Sequence, residues 1–69
     1  MAIRWIYDTE GKPVFYQEGQ RIYTPQTETC EFCENGGWWY RMQGSGAAVY
    51  YVKDDQVFTP DGRPAFHYA

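Results

Sequence analysis

Leucine is absent from this 69-residue sequence, and only seven isoleucine and valine residues supply branched aliphatic side chains. A helical domain with a leucine-rich core is therefore disfavoured. Rings take the place of leucine, because the chain contains three Trp, seven Tyr and four Phe. Aromatic and β-branched side chains fit the pleated, half-buried surface of strands better than they fit helices. The composition predicts an all-β fold with an aromatic core.

Clustered positive charge and long apolar runs are also missing. The six basic residues are scattered singly among nine acidic ones, which leaves a net charge of −3, whereas nucleic-acid binding needs basic residues grouped together. No stretch approaches the roughly eighteen apolar residues of a membrane span, and residues 1–7 lack the apolar segment of a secretory signal. We expect no nucleic-acid partner, no membrane span and a cytoplasmic location. A chain this short forms one domain, residues 1–69.

Two pairs of segments resemble each other. VFYQEGQRIYTP at 14–25 matches VYYVKDDQVFTP at 49–60, and GKPVF at 11–15 matches GRPAF at 62–66. The two offsets, 35 and 51 residues, are near multiples of about 17, which is the signature of an internal repeat. The spacing predicts four degenerate units that begin near residues 6, 22, 39 and 57. Each begins with an aliphatic residue or Trp, followed by an aromatic residue.

Turn residues punctuate these units. Asp8–Gly11 and Thr59–Gly62 place polar side chains and a final glycine where a tight turn needs them. Pro13 and Pro64 then begin the next apolar run, where a missing N–H is tolerated. The pattern predicts a meander of short antiparallel strands, paired as about four β-hairpins, and no helix.

The segments IYDTEGKPVFY at 6–16 and VFTPDGRPAFHY at 57–68 resemble the units of the small bacterial four-fold β-flower repeat proteins. In that family, hairpins of the form Tyr-Asp-x-x-Gly-x-Pro-Val-x-Tyr surround a pseudo-four-fold axis. The resemblance implies a closed or partly closed, flower- or barrel-like arrangement and no catalytic residues. The second unit departs from the pattern, because the run from Cys30 to Cys33 stands where Gly-x-Pro-Val would fall. The third departs at 44–48, which reads GSGAA.

The motif Cys30-x-x-Cys33 is followed by Gly36 and Gly37. Two thiolates at this spacing in a turn can bind one metal ion, but a structural zinc site needs four ligands. Only His67 is an obvious third ligand, so an acid, a water or a second chain would have to complete the site. The pair is therefore a candidate zinc site, a disulfide or two ordinary thiols in a hairpin. We prefer the last interpretation and expect no cofactor, with zinc as the alternative.

Three large rings follow one another at Trp38, Trp39 and Tyr40. Strand alternation places Trp38 and Tyr40 on one face and Trp39 on the other, so one face belongs to the core. The remaining rings are a candidate ligand-binding surface for a carbohydrate or another flat apolar ligand. The alternative is that every ring packs in the interior, because a chain without leucine has to fill its core with rings.

Candidate catalytic groups are few. His67 is the only histidine and Ser45 the only serine, and neither belongs to a recognisable nucleophile and base pattern. Paired acids such as Asp54 and Asp55 would need a cleft that a domain this small rarely encloses. The acids of the second unit are better interpreted as solvated surface. We therefore expect no enzyme, but an interaction or structural module that binds a protein partner or, through open strand edges, its own copy. The alternatives are a carbohydrate- or small-ligand-binding module and a zinc-linked protein.

Overall fold

A computed structural model describes residues 2–44 and 46–69 of the chain, so Ser45 lies outside the described residues. In those two ranges the regular elements are eight strands: β1 (Ile3–Asp8), β2 (Pro13–Glu18), β3 (Arg21–Thr24), β4 (Thr29–Asn35), β5 (Trp38–Arg41), β6 (Ala48–Lys53), β7 (Gln56–Phe58) and β8 (Pro64–Tyr68). Every strand pairs antiparallel with the next, and β8 pairs with β1, so the sheet closes into a small barrel. The all-β antiparallel meander predicted from composition and turns is confirmed. No helix in these ranges is long and apolar enough to cross a membrane.

The residues that begin the four predicted units occupy matching places in the barrel. They stand on β1, β3, β5 and β7 and are completely buried: Ile6, Ile22, Trp39 and Val57. Directly after each of them the strand register shifts, because the facing strand carries one extra residue. Such bulges increase twist and bend a strand, which an eight-stranded sheet needs in order to close. The same local irregularity therefore recurs once in each hairpin.

The core is a cluster of rings, as predicted from the absence of leucine. Phe15, Phe32, Tyr50 and Phe66 contact one another in a closed cycle, with neighbouring centroids 5.3–5.9 Å apart and ring planes at 73–88°. Trp39 lies 5.3–5.9 Å from each of the four. Edge-to-face contact is a favoured geometry for aromatic pairs because the positive ring edge meets the negative ring face. We call these five residues the ring cluster.

A buried amide lies next to this apolar core. The Tyr68 hydroxyl donates a hydrogen bond to Oε1 of Gln17, which is 8% exposed. Nε2 of Gln17 donates to the carbonyl of Gly19 at 2.9 Å and to Oε1 of Glu34 at 3.3 Å. Oε2 of Glu34 accepts from the Gly37 N–H at 3.0 Å. This Gln17 network satisfies the buried amide on both sides and joins β2, β4 and β8.

Closure of the barrel removes one reason for self-association. β1 pairs with β8 through Ile6 and Tyr68, Tyr7 and His67, and Asp8 and Phe66, so both edges of the meander are paired. The expectation of open strand edges is wrong for the described residues, because the eight strands complete a ring. A self-association surface would therefore have to be built from side chains on the barrel wall.

The turn of the second hairpin was not recognised from the sequence. Residues 25–28 form it, and Glu28 donates its backbone N–H to the carbonyl of Thr24 at 2.7 Å. Glu28 has φ +54°, whereas the positive φ angles in the first and fourth turns belong to glycines, Gly11 at +83° and Gly62 at +89°. Because no glycine marks this turn, the sequence favours a turn at Cys30-x-x-Cys33, and that expectation is wrong. The structure places both cysteines inside β4 instead.

Replacing Glu28 by glycine should stabilise the barrel by about 0.5–1 kcal/mol. A left-handed conformation costs a non-glycine residue about 1–2 kcal/mol, and relief of that strain outweighs the extra flexibility of glycine in the unfolded chain. Urea denaturation measures the change. Gln26→Gly is the control, because Gln26 lies in the same exposed turn and has no positive φ. We expect this control to be neutral or destabilising, and equal destabilisation by both variants would contradict the assigned backbone.

Candidate functional site

The outer wall of the barrel carries a row of three aromatic rings on its first three strands. Trp5 on β1 faces Tyr16 on β2, and Tyr16 faces Tyr23 on β3. The ring centroids are 5.6 Å apart with a 52° tilt between Trp5 and Tyr16, and 5.2 Å apart and nearly parallel between the two tyrosines. We call these three residues the first ladder. Its spacing follows from the distance between neighbouring strands, about 4.8 Å.

A second ladder of the same design consists of Trp38 on β5, Tyr51 on β6 and Phe58 on β7. Its centroids are 5.5 and 5.3 Å apart, again with a tilted contact at the tryptophan and a stacked contact between the other two rings. The central strands of the two ladders, β2 and β6, are four strands apart in a ring of eight. The ladders therefore lie on opposite sides of the barrel.

Each ladder ends in a tryptophan that is accessible to solvent. Trp5 and Trp38 are both 41% exposed, whereas the other ladder rings are half-buried. The neighbour on the far side of each tryptophan is small. The Ala69 N–H bonds the Trp5 carbonyl at 2.9 Å, and Asn35 faces Trp38 across β4 and β5. One side of each indole therefore packs on a tyrosine, and the cross-strand position on its other side holds Ala69 or Asn35.

The structure separates the three rings that the sequence proposed together. Trp39 is completely buried in the ring cluster, so it is inaccessible to a ligand. Trp38 and Tyr40 both lie on the outer wall, which confirms the predicted alternation, but they belong to different rows. Tyr40 is half-buried between Cys33 and Ala48. Of the three residues, Trp38 alone is part of a ladder.

Trp5 was missed, although the sequence contains a signal for it. Trp5 immediately precedes Ile6, just as Trp38 immediately precedes Trp39, and Ile6 and Trp39 begin two of the predicted units. Because the residue before a buried strand residue points outward, the two tryptophans had to occupy matching outer positions. In the other two units the same position holds Arg21 and Gln56.

The two cysteines are both unbonded and half-buried in β4. Cys30 faces Tyr23, whereas Cys33 faces Arg21 and Tyr40. The extra residue of the bulge, between Cys30 and Phe32, changes the alternation so that both cysteines face outward.

The third ligand considered for a metal site lies elsewhere. His67 stands on β8, half the barrel circumference from β4, and stacks on Tyr7 at 5.8 Å. Within residues 2–44 and 46–69, no group of three or more His, Cys, Asp or Glu side chains is placed to hold a metal ion. A zinc site completed by a second chain remains a hypothesis, and its protein ligands here would be Cys30 and Cys33.

Charges near the first ladder act on its central ring. Burial against its neighbours raises the pKa of the Tyr16 phenol above the usual value of 10.0, and the nearby carboxylate of Glu28 adds to the effect. Tyr16 is therefore an uncharged phenol at neutral pH and can donate or accept a hydrogen bond. Across the described residues the barrel encloses no pocket, so the candidate site is an open surface.

These features define a class: a small, closed, antiparallel β-barrel with an aromatic core and two aromatic ladders on its outer wall. Comparison of the chain with models of protein families, with curated proteins and with solved structures finds no match. The resemblance to the β-flower repeat proteins therefore stays a prediction.

Proposed function

We propose that this protein is a small non-enzymatic interaction module that binds carbohydrate on its outer wall. The observation that carries the proposal is the pair of matched ladders, each with a tryptophan that is 41% exposed. Fully burying a large apolar side chain stabilises a protein by about 1.5–3 kcal/mol relative to leaving that side chain in water. A tryptophan that stays partly exposed forgoes part of this stabilisation. Each exposed tryptophan continues into two further rings of its ladder, and such a contiguous apolar row is better explained by a ligand than a single exposed side chain would be.

The ladders suit a sugar because of their chemistry. One face of a pyranose ring carries C–H groups that pack against an aromatic face, while its hydroxyl groups remain free for polar contacts. On the side away from the tyrosine, the cross-strand position next to each indole holds no aromatic ring but Ala69 or Asn35. Tyr16 and Tyr51 stand on the strands next to the tryptophans, and their phenol hydroxyls can exchange hydrogen bonds with sugar hydroxyls.

A protein partner or a second copy is less well supported by the distribution of apolar surface. A stable protein interface buries about 800 Å² per partner, roughly a sixth of the 4678 Å² that this molecule exposes. The large apolar side chains exposed in the described part of the chain are Ile3, Trp5, Trp38 and Met42. The two tryptophans lie on opposite sides of the barrel, so they do not form one continuous patch. A small ligand fits this distribution better.

The recurring geometry also supports a four-unit origin for the module. The buried opening residues and the bulges that follow them occur once in each hairpin. We infer four degenerate hairpin repeats, in which the ladder residues of the first and third units are retained for binding. In the other two units, Arg21 and Gln56 occupy the tryptophan position.

The test is a binding measurement on a panel of defined sugars: cellohexaose, chitohexaose, xylohexaose and a β-galactan oligosaccharide. We expect at least one of them to shift the tryptophan fluorescence of the wild-type protein and to bind in calorimetry. The double variant Trp5→Ala/Trp38→Ala should bind that sugar about tenfold more weakly or worse.

Tyr40→Ala is the matched control, because Tyr40 is an outer-wall aromatic residue outside both ladders. It should bind as the wild type does. The proposal would be abandoned if no sugar of the panel bound the wild type, or if the double variant and the control lost affinity equally.

A further inference from the structure

The structure assigns two separate and equivalent sugar sites to one chain, one at Trp5 and one at Trp38, so that a single molecule can cross-link two polysaccharide chains. This inference rests on the proposed function and adds the number of sites and their directions. It follows from the closed barrel, because the closed ring of eight strands places the two matched ladders on opposite sides of one small domain.

Equivalence is supported by the geometry of the two tryptophans. The Trp5 and Tyr16 rings are 5.6 Å apart at 52°, and the Trp38 and Tyr51 rings are 5.5 Å apart at 54°. The two indoles are also exposed to the same degree, 41%. A ligand that stacks on one indole therefore meets nearly the same surface at the other.

Separation is supported by the shape of the barrel. The principal extents of the molecule are 28, 28 and 20 Å, and the ladders are centred on β2 and β6, on opposite sides. A short oligosaccharide bound to one ladder leads away from the other, because the curved wall lies between them. Two binding events must therefore involve two ligands, or two distant parts of one polymer. Such bivalency raises avidity for a polymer above the affinity of a single site without any new contact.

The two sites differ in the third ring of the ladder, Tyr23 in one and Phe58 in the other, and in the residue beside the tryptophan. Asn35 faces Trp38, whereas Trp5 has Ala69 beside it. A side-chain amide can both donate and accept hydrogen bonds, so the site at Trp38 can make a polar contact that the other site lacks. We expect Asn35→Ala to weaken the site at Trp38 and leave the site at Trp5 unchanged.

The experiment combines calorimetry with cross-linking and uses the sugar of the panel that binds best, as a trisaccharide and as beads coated with its polymer. The wild type should bind two trisaccharides per chain and cross-link the beads into visible clumps. Trp5→Ala and Trp38→Ala should each bind one trisaccharide and coat the beads without clumping them. If an alanine variant is poorly folded, Trp5→Phe or Trp38→Phe takes its place, because phenylalanine keeps a ring packed on the neighbouring tyrosine. Each of these milder variants should keep two sites, with weaker affinity at the substituted site.

The outcomes separate the inference from the proposed function. The wild type could instead bind one trisaccharide per chain, with binding lost when one tryptophan is replaced and unchanged when the other tryptophan is replaced. That result would overturn bivalency and leave carbohydrate binding in place. Bead clumping that survives in both single variants would also overturn it, since clumping would then come from self-association. Failure of the wild type to bind any sugar would remove the proposed function itself.

Discussion

Replacing Trp39 by alanine should leave the chain largely unfolded at 25 °C. The indole is completely buried and contacts all four other members of the ring cluster. Truncating such a residue typically costs about 3–5 kcal/mol, because contacts are lost and a cavity remains. A domain of 69 residues has a total free energy of unfolding of about 3–10 kcal/mol. The loss is therefore comparable to the whole stability.

Trp38→Ala is the matched control, because it makes the same chemical change at the adjacent residue on the outer wall. Trp38 is 41% exposed and packs mainly on Tyr51, so we expect a loss of about 1 kcal/mol or less. Urea denaturation followed by near-ultraviolet circular dichroism measures both variants. Similar losses for the two would contradict the difference in burial between these residues. A larger loss for Trp38→Ala would mean that the inward and outward faces of β5 have been assigned the wrong way round.

Tyr68→Phe should destabilise the barrel by about 1–3 kcal/mol, the usual cost of leaving a buried polar group without its partner. Removing the hydroxyl leaves Oε1 of the buried Gln17 without a donor. It also removes a polar neighbour of the Trp39 indole N–H, which is buried and has no regular hydrogen bond among the described residues. Tyr23→Phe makes the same change on the outer wall and should cost less than about 0.5 kcal/mol. Equal losses would show that the Gln17 network contributes nothing specific.

The same residue predicts a dependence of stability on alkaline pH. Burial raises the pKa of the Tyr68 phenol above its usual value of 10.0; the nearby Trp39 N–H and Arg4 guanidinium oppose this effect, and the carboxylates of Glu34 and Asp55 add to it. Between pH 10 and the raised pKa, the unfolded chain loses this proton while the folded chain keeps it. The free energy of unfolding must therefore fall as pH rises through that window.

Tyr68→Phe should remove this part of the alkaline loss. Denaturation midpoints measured from pH 8 to pH 11 test the effect as a difference between the wild type and the variant, with Tyr23→Phe as the reference for general alkaline destabilisation. If the difference in denaturation midpoint between the wild type and Tyr68→Phe stayed the same from pH 8 to pH 11, the result would contradict a buried Tyr68.

Most of the architecture could be predicted because it depends on local patterns. The residues that begin the four units were identified from a spacing in the sequence, and all of them proved to be completely buried. The second turn was missed, because Glu28 adopts a left-handed conformation without the glycine that marks the first and fourth turns. Closure of the ring could be expected only from the family resemblance, since pairing of β1 with β8 joins residues as distant as Ile6 and Tyr68.

The candidate site was predicted only in part, for a different reason. Alternation correctly places Trp38 and Trp39 on opposite faces of the strand. A ladder, however, consists of one residue from each of three consecutive strands, and these residues are separated in the sequence by turns. Trp5 belongs with Tyr16 and Tyr23 only once the strand register is known. Its position directly before Ile6 predicts that Trp5 points outward, but the sequence alone does not say which outward rings lie next to it. Which outward rings become neighbours is a property of the folded sheet.

Because the barrel closes by pairing β1 with β8, we expect the hairpins to form before the ring closes during folding. Each hairpin is joined by a short turn and can form early, on a time scale of about 1–10 μs. A separate hairpin, however, has only its own inner rings to pack, and the ring cluster takes residues from four hairpins. The cluster is complete only when the last strand meets the first, which requires contacts across nearly the whole chain and is therefore slow. The entropy of ring closure, and not the formation of any one hairpin, is expected to limit the folding rate.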